Sequence, residues 1–236
     1  MAGAEDLAAR LRAAGAGWRT ASGTFRTWRD PELATRAFLE RHAGRGRVAT
    51  AVSDVELESP IEHILRVHAA DGGRRRRAEA LSRVGERWLD ELVVVDEPWF
   101  WARTGDRLVT NDGDPSSTHG GADFVLLLTP AEVPAGFELA RTDETDTVAG
   151  RACDVVVAVP KEPDPYGLTP GAEVFDMVSG GHEFHLHVDR ETSTLLRVTK
   201  LVEGAPAEVA EFLDIAFDGP VDDRLFQPLA PGPPQP

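Results

Sequence analysis

The sequence predicts an α+β protein, with two helices near its start followed by a long antiparallel meander of strands. Three observations carry this. Leu7, Leu11 and Ala14 recur at helical spacing near the start. From residue 61 onward, segment after segment is rich in β-branched and aromatic residues. The separators between most of these segments are short and built of Gly, Asp, Glu and Thr, whereas parallel pairing needs long crossovers.

Taken in order, residues 4–14 form the first helix, ended by Gly15 and Gly17. WRTASGTFRTW, 18–28, reads as a strand. After Asp30-Pro31, ELATRAFLERHAG reads as a second helix, with Pro31 in its first turn and Gly44 past its end. Residues 45–60 give no periodic signal. IEHILRVHA and RRRRAEAL flank ADGG, a hairpin signal. The run Arg74 to Arg77 is expected on a solvated hairpin edge, where like charge also blocks edge-to-edge association; the alternative is a grip on an anionic headgroup. ELVVVDEPWFWAR and DRLVTN follow as strands, with Gly105-Asp106 between them. GADFVLLLTPAEV, 121–133, reads as a short helix. FELARTDETDTVAGRACDVVVAVP, HEFHLHVD, TLLRVTKLVEG and EVAEFLDIAFD complete the meander. PKEPDPYGLTPG, 160–171, holds four prolines and reads as a long loop that could act as a lid. With no internal repeat or linker, residues 1–228 are expected to form a single domain, and 229–236 a disordered Pro-rich tail.

Composition bounds the partners. The 236 residues carry a net charge of −15, which repels nucleic acid and anionic membranes. The single cysteine, Cys153, excludes an intramolecular disulfide and a thiolate zinc site within one chain. It is expected in the core, on one face with Val155 and Val157. Glu5, Asp6, Arg10 and Arg12 interrupt any leader-like apolar run. No apolar stretch is long enough for stable membrane insertion. As the sequence stands the expected location is cytoplasmic, or exported if a leader has been removed. No cofactor is expected: G-x-S-x-G, P-loop and G-x-G-x-x-G motifs are absent, and NDGDP, 111–115, departs from the calcium-loop register and reads as a turn.

HEFHLHVDRET, 182–192, is the densest group of candidate ligands. His185, His187 and Glu191 match the H-x-H and glutamate spacing of a cupin metal site. Against that, Ser179 stands where the cupin pattern has glycine, and no histidine follows His187 to complete a second motif. Alternation instead puts Phe184, Leu186 and Val188 on one face of a half-buried strand. Glu183, His185, His187 and Asp189 then form a solvent-facing polar stripe, and DRETS makes the next turn. Trp99 and Trp101 share a face, with Phe100 on the other; the pair belongs either to the core or to the wall of an apolar cavity.

A further pattern runs through the second half of the chain. It comprises Val148, Gly150, Val155 and Pro160, then Val188, Asp189, Arg190, Glu191, Thr192, Leu196 and Arg197. Ile215, Phe217 and Asp218 follow, and then Val221, Asp222, Asp223, Leu225, Phe226 and Pro228. In this it resembles the LolA-like family, which includes lipoprotein carriers and sensor domains related to RseB. The resemblance covers 86–228 and, more faintly, 4–30, and leaves 31–62 unaccounted for. It implies a strongly curved antiparallel β half-barrel, with helices covering the concave face and a cavity between them that takes acyl chains or other apolar groups. The function implied is that of a non-enzymatic binding protein. Its partner would be a hydrophobic small molecule or acyl chain, lined by Phe25, Trp99, Trp101, Phe184, Leu186 and Phe212. Two alternatives stand beside it. One is a cyclase- or isomerase-like enzyme drawing acid–base groups from His63, His68, His185, His187 or nearby carboxylates. The other is a regulatory module binding a protein partner. If the histidine stretch is strand and turn, EDTA leaves the melting temperature unchanged; about one equivalent of zinc, iron or nickel in untagged protein would overturn that assignment.

Overall fold

The computed structural model describes residues 2–42, 61–81, 83–84, 87–88, 91–111, 124–161 and 183–228. Helix α1 (Ala2–Ala13) leads into strand β1 (Thr20–Arg29), and α2 (Pro31–His42) follows. Asp30 caps α2 by accepting the amide of Leu33 at 2.9 Å, and Pro31 takes the position where its missing N–H costs nothing. Strands β2 (Ile61–Ala70), β3 (Arg75–Ala80), β4 (Arg83–Val84), β5 (Arg87–Trp88), β6 (Glu91–Asp96), β7 (Trp99–Thr104) and β8 (Arg107–Thr110) come next. Two short helices, α3 (Phe124–Leu128) and α4 (Val133–Gly136), precede β9 (Phe137–Val148) and β10 (Arg151–Pro160). The last strands are β11 (Glu183–Asp189), β12 (Leu195–Val202) and β13 (Ala205–Phe217). Residues 162–171 of the four-proline segment, Gly44 and the tail 229–236 lie outside the described residues. No helix among those described is long and apolar enough to cross a membrane.

Eleven strands make one antiparallel sheet in the order β8-β7-β6-β3-β2-β1-β13-β12-β11-β10-β9, while β4 and β5 pair separately. The expected meander is therefore present as two runs, joined where β1 pairs with β13. The sheet stays open and curves into a half-barrel. Register shifts supply bends of the kind bulges produce: Leu213 is the extra residue against β1, Leu196 against β11, and Ala207 between β12 and β13. A further shift falls between Asp154 and Val156, where β9 carries the additional residues. The turns Ala149-Gly150 and Glu203-Gly204 have positive φ at both residues, the geometry that suits two-residue hairpins.

The core lies between the concave face and the helices. Leu7 and Leu11 of α1, and Phe124, Leu127 and Leu128 of α3, join one apolar cluster with strand residues from β1 to β13. Phe25 packs on Phe212 at 5.2 Å and on Phe124 at 6.2 Å between ring centres. The indole of Trp18 donates to the Leu128 carbonyl at 3.3 Å and ties α3 to the start of β1. Helix α2 packs apart, through Leu33 on Val202 and Ala207. Cys153 is buried, as expected, and is a free thiol.

Two expectations are corrected. ELVVVDEPWFWAR is not one strand but the hairpin β6–β7, turned at Glu97-Pro98. The arginine run is not an exposed edge, because β3 lies between β2 and β6. Arg74 is open to solvent at 72%, but the side chains of Arg75, Arg76 and Arg77 are only 28%, 16% and 19% exposed. Arg76 is on the concave side, opposite Ala69 and Val95; for Arg75 and Arg77 the cause is the chain's own C-terminal segment. After β13 it passes β1, where Thr20 donates its hydroxyl to the Gly219 carbonyl, and lands on β3 as the 3-10 turn Asp223–Phe226. Arg75 pairs there with Asp223 at 2.9 Å and sits 4.9 Å over the Phe226 ring, and Arg77 donates to the Leu225 carbonyl. Arg76 bonds Glu97 at 3.0 Å.

Gly23 is a point of close approach in the β1–β13 junction: a Cβ there would stand 2.1 Å from the Asp214 carbonyl oxygen. Gly23→Ala is expected to lower stability by about 1–3 kcal/mol in urea titration. A change under about 0.5 kcal/mol would mean that the backbone yields freely at this junction.

Candidate functional site

Cross-strand partners share a face, so the register assigns each candidate residue. Phe25 stands opposite Leu65 and Phe212, Phe184 opposite Ala158 and Lys200, and Leu186 opposite Val156 and Val198. Phe25, Phe184, Leu186 and Phe212 are therefore together on the concave face, fully buried within the one core cluster. Phe184 meets Phe137 edge-on at 5.8 Å. The tryptophans are placed otherwise. Strand β7 sends Phe100 into the core, and alternation turns Trp99 and Trp101 to the convex face. They stack there at 6.3 Å, with Trp99 45% exposed. They do not line the concave side, which corrects that part of the expectation.

Two charged groups on the concave face were not singled out from the sequence. Lys200 is 1% exposed and pairs with Glu208, which also bonds Arg29 at 2.5 Å. The signal was present in LLRVTKLV, where Lys200 falls in phase with Val198 and Val202. The second is Asp154, opposite Val188, whose buried carboxylate is held by guanidinium groups from three elements. Arg10 of α1 reaches it at 3.3 Å, Arg141 of β9 at 3.0 Å and Arg190 of the turn after β11 at 2.8 Å.

The histidine stretch is strand β11 and its turn; of its polar face Glu183 and His185 are open to water, as expected, but His187 and Asp189 are not. His187 is buried, its Nε2 3.1 Å from Asp146, and Arg197 bonds the same carboxylate oxygen at 3.2 Å. Asp189 is buried too, because it folds into its own turn. It accepts the amides of Glu191 and Thr192 at 2.7 and 2.9 Å and pairs with Arg151. The three side chains of the metal spacing go to three different partners: His185 to Glu183, His187 to Asp146 and Glu191 to Arg151. Among the described residues no His, Cys, Asp and Glu side chains gather as a metal would need. Both His–carboxylate pairs lie on the convex side, away from the apolar face. His68 lies on that side as well, opposite Arg77, while His63 is on the concave side opposite Thr27.

The electrostatics follow from burial and partners. Burial, with Arg197 nearby, lowers the His187 pKa below its ordinary value of 6.5, and burial with Arg77 and Arg66 does the same for His68. For Asp154, burial alone would raise the pKa; Arg190, Arg10 and Arg141 more than offset it and hold the group ionised. Asp189 is held low in the same way by Arg151 and two backbone amides, and Asp146 chiefly by the Thr147 amide. Burial pushes the Cys153 thiol up to about 11, so it is not a nucleophile near neutral pH. Below 6.5 the unfolded chain takes up protons at His187 and His68 that the folded protein resists, so stability falls as pH drops through that range. The carboxylates act in the same direction below 3.8. The melting temperature is therefore expected to fall between about pH 7.5 and about pH 5.5, and His187→Gln should flatten part of that slope. A curve that rises towards acid would show that the Asp146 pairing outweighs burial.

No family model and no curated protein matches the chain. Solved structures do. MucB aligns with 98% of this chain and 64% of its own length, at 18% identity and a TM-score of 0.56. The Mycobacterium tuberculosis lipoprotein LppX aligns over 92% of this chain and 98% of its own, at 9% identity and 0.51. An uncharacterised conserved protein of Thermus thermophilus aligns over 96% and 94%, at 11% identity and 0.50. The chain thus spans about two thirds of MucB. At these identities the likeness is one of fold: the open, curved antiparallel sheet with few helices is the LolA-like, RseB-like fold.

Proposed function

We propose that the protein is a non-enzymatic binding protein that takes a hydrophobic ligand, a lipid or apolar metabolite, between the concave face and its helices. One observation carries this reading. A sheet that does not close presents a largely apolar face from β6 to β11, broken only by Arg76, by Lys200 with Glu208 and by groups near the strand ends, and helices rather than a second sheet cover it. Such a face is stabilised by any flexible apolar body laid on it, at roughly 25 cal/mol per Å² removed from water. Helix α3, FVLLL, is five residues long and occupies that face now. A ligand would take the place of its Phe124 against Phe25 and extend over Phe184, Leu186 and Phe212; these four are the proposed lining. Few directional bonds are needed for such a ligand, so chain length and shape matter more than its chemistry.

A second reading, a module that docks on a protein, is favoured by the exposed stacked pair Trp99–Trp101 on the convex face. Among proteins of this fold, MucB has been crystallised in complex with MucA.

The purified protein is expected to bind a dansyl-labelled undecanoic acid saturably, with a dissociation constant in roughly the micromolar range. Phe212→Ala should change that affinity, whereas Trp99→Glu, on the other face, should leave it unaltered while circular dichroism stays native. Absence of saturable binding by the wild-type protein removes the carrier reading and leaves the docking module in its place.

A further inference from the structure

We propose that Arg10, Arg141 and Arg190, gathered around Asp154 at one end of the concave face, form a receptor for the oxyanion headgroup of an acyl amphiphile. The inference rests on the apolar-cleft reading above and names the class of ligand for it.

Position comes first. Asp154 stands opposite Val188, and the next inward residue of β10, Val156, stands opposite Leu186. The carboxylate therefore continues the apolar strip Phe184, Leu186, Val188 at the end that α1 crosses. Any amphiphile lying along that strip with its chain beneath the helices brings its polar end to this place.

Charge comes second. Three guanidinium groups face one carboxylate, an excess of two positive charges in a chain whose net charge is −15. Neutralising Asp154 requires one arginine, and here a helix, a strand and a turn each send one. Among the described residues no other carboxylate pairs with any of the three.

Geometry comes third. Arg141 and Arg190 both donate to the same oxygen, Oδ1, through Nη2 and Nε, and Arg10 donates to Oδ2 through Nη1. Each guanidinium has five N–H donors, so most remain available to a second acceptor. The side chains of Arg141 and Arg190 are 50% and 47% exposed, so their outer edges are open. The set is also fixed before any ligand arrives. Arg10 is held by the Ser193 hydroxyl at 3.3 Å, and the backbone of Arg190 by the Ala152 carbonyl at 3.1 Å. A preorganised fork of this kind suits phosphate or carboxylate oxygens and loses little freedom on binding.

Calorimetry with three probes tests the assignment: lauroyl lysophosphatidic acid, the uncharged monolaurin of equal chain length, and inorganic phosphate. The wild-type protein is expected to bind the charged amphiphile at least about tenfold more tightly than monolaurin. The double variant Arg141→Gln/Arg190→Gln, whose changes are at half-exposed side chains, should keep its monolaurin affinity and lose that gap. No gap in the wild type, or a gap that survives in the variant, overturns the receptor. Inorganic phosphate binding as tightly as the amphiphile overturns the headgroup assignment in favour of a free-phosphate site. Failure of monolaurin alone, with arginine-dependent binding of the charged amphiphile intact, removes the apolar cleft and leaves the receptor standing.

Discussion

The pairing of β1 with β13 is the constraint on which the rest of the structure depends. It joins a strand near one end of the chain to a strand near the other, and so turns two meanders into one sheet. Both faces are fastened at this seam. On the concave side Phe25 packs on Phe212. On the convex side Arg26 bridges Glu62 of β2 and Glu211 of β13, and Glu211 also bonds Arg197 of β12 at 2.7 Å. The absence of a side chain at Gly23 lets the two backbones approach, and the extra Leu213 bends the strand at that point. The depth of the concave face follows from that bend.

The two faces divide the chemistry. Ion pairs run across the convex face in sequence, from Glu62 through Arg26, Glu211 and Arg197 to Asp146 and His187. Pairs that are part exposed contribute little individually, yet together they set the register of strands that are otherwise free to slip. The concave face is largely apolar, interrupted at Arg76 with Glu97, at Lys200 with Glu208 and at Asp154 with its arginines. Charges in such surroundings are costly unless paired, and each is paired. Their placement off the centre of the strip leaves the aromatic and aliphatic middle continuous.

Much of this was legible in the sequence. Period-two alternation marked β11 as half-buried and put Phe184 and Leu186 on the core side, and glycine-bearing turns marked the hairpins. Where the reading failed, the missing information was non-local. WFWAR alternates equally well either way, and only the pairing of Val93 and Val95 with Ala102 and Phe100 decides which aromatics go in. Four consecutive arginines look like a solvated edge until a segment some 150 residues later folds over Arg75 and Arg77. His187 and Asp189 look exposed until Asp146, Arg197 and Arg151 close over them. The arginine cluster at Asp154 draws on residues 10, 141, 154 and 190, so no local window contains it.

The β1–β13 seam also has a meaning in time. During synthesis the N-terminal strand emerges long before its partner. About 190 residues separate Phe25 from Phe212, which at ribosomal speeds of 5–20 residues per second is on the order of 10–40 s. Throughout that interval β1 can pair only with β2, so its other edge and the aromatic ring of Phe25 stay open to whatever is nearby, including neighbouring nascent chains. The sheet can close at its centre only when nearly the whole chain is available, and such long-range pairing is slow even then. A chain built this way depends on being kept apart from its own copies until its last long strand is made.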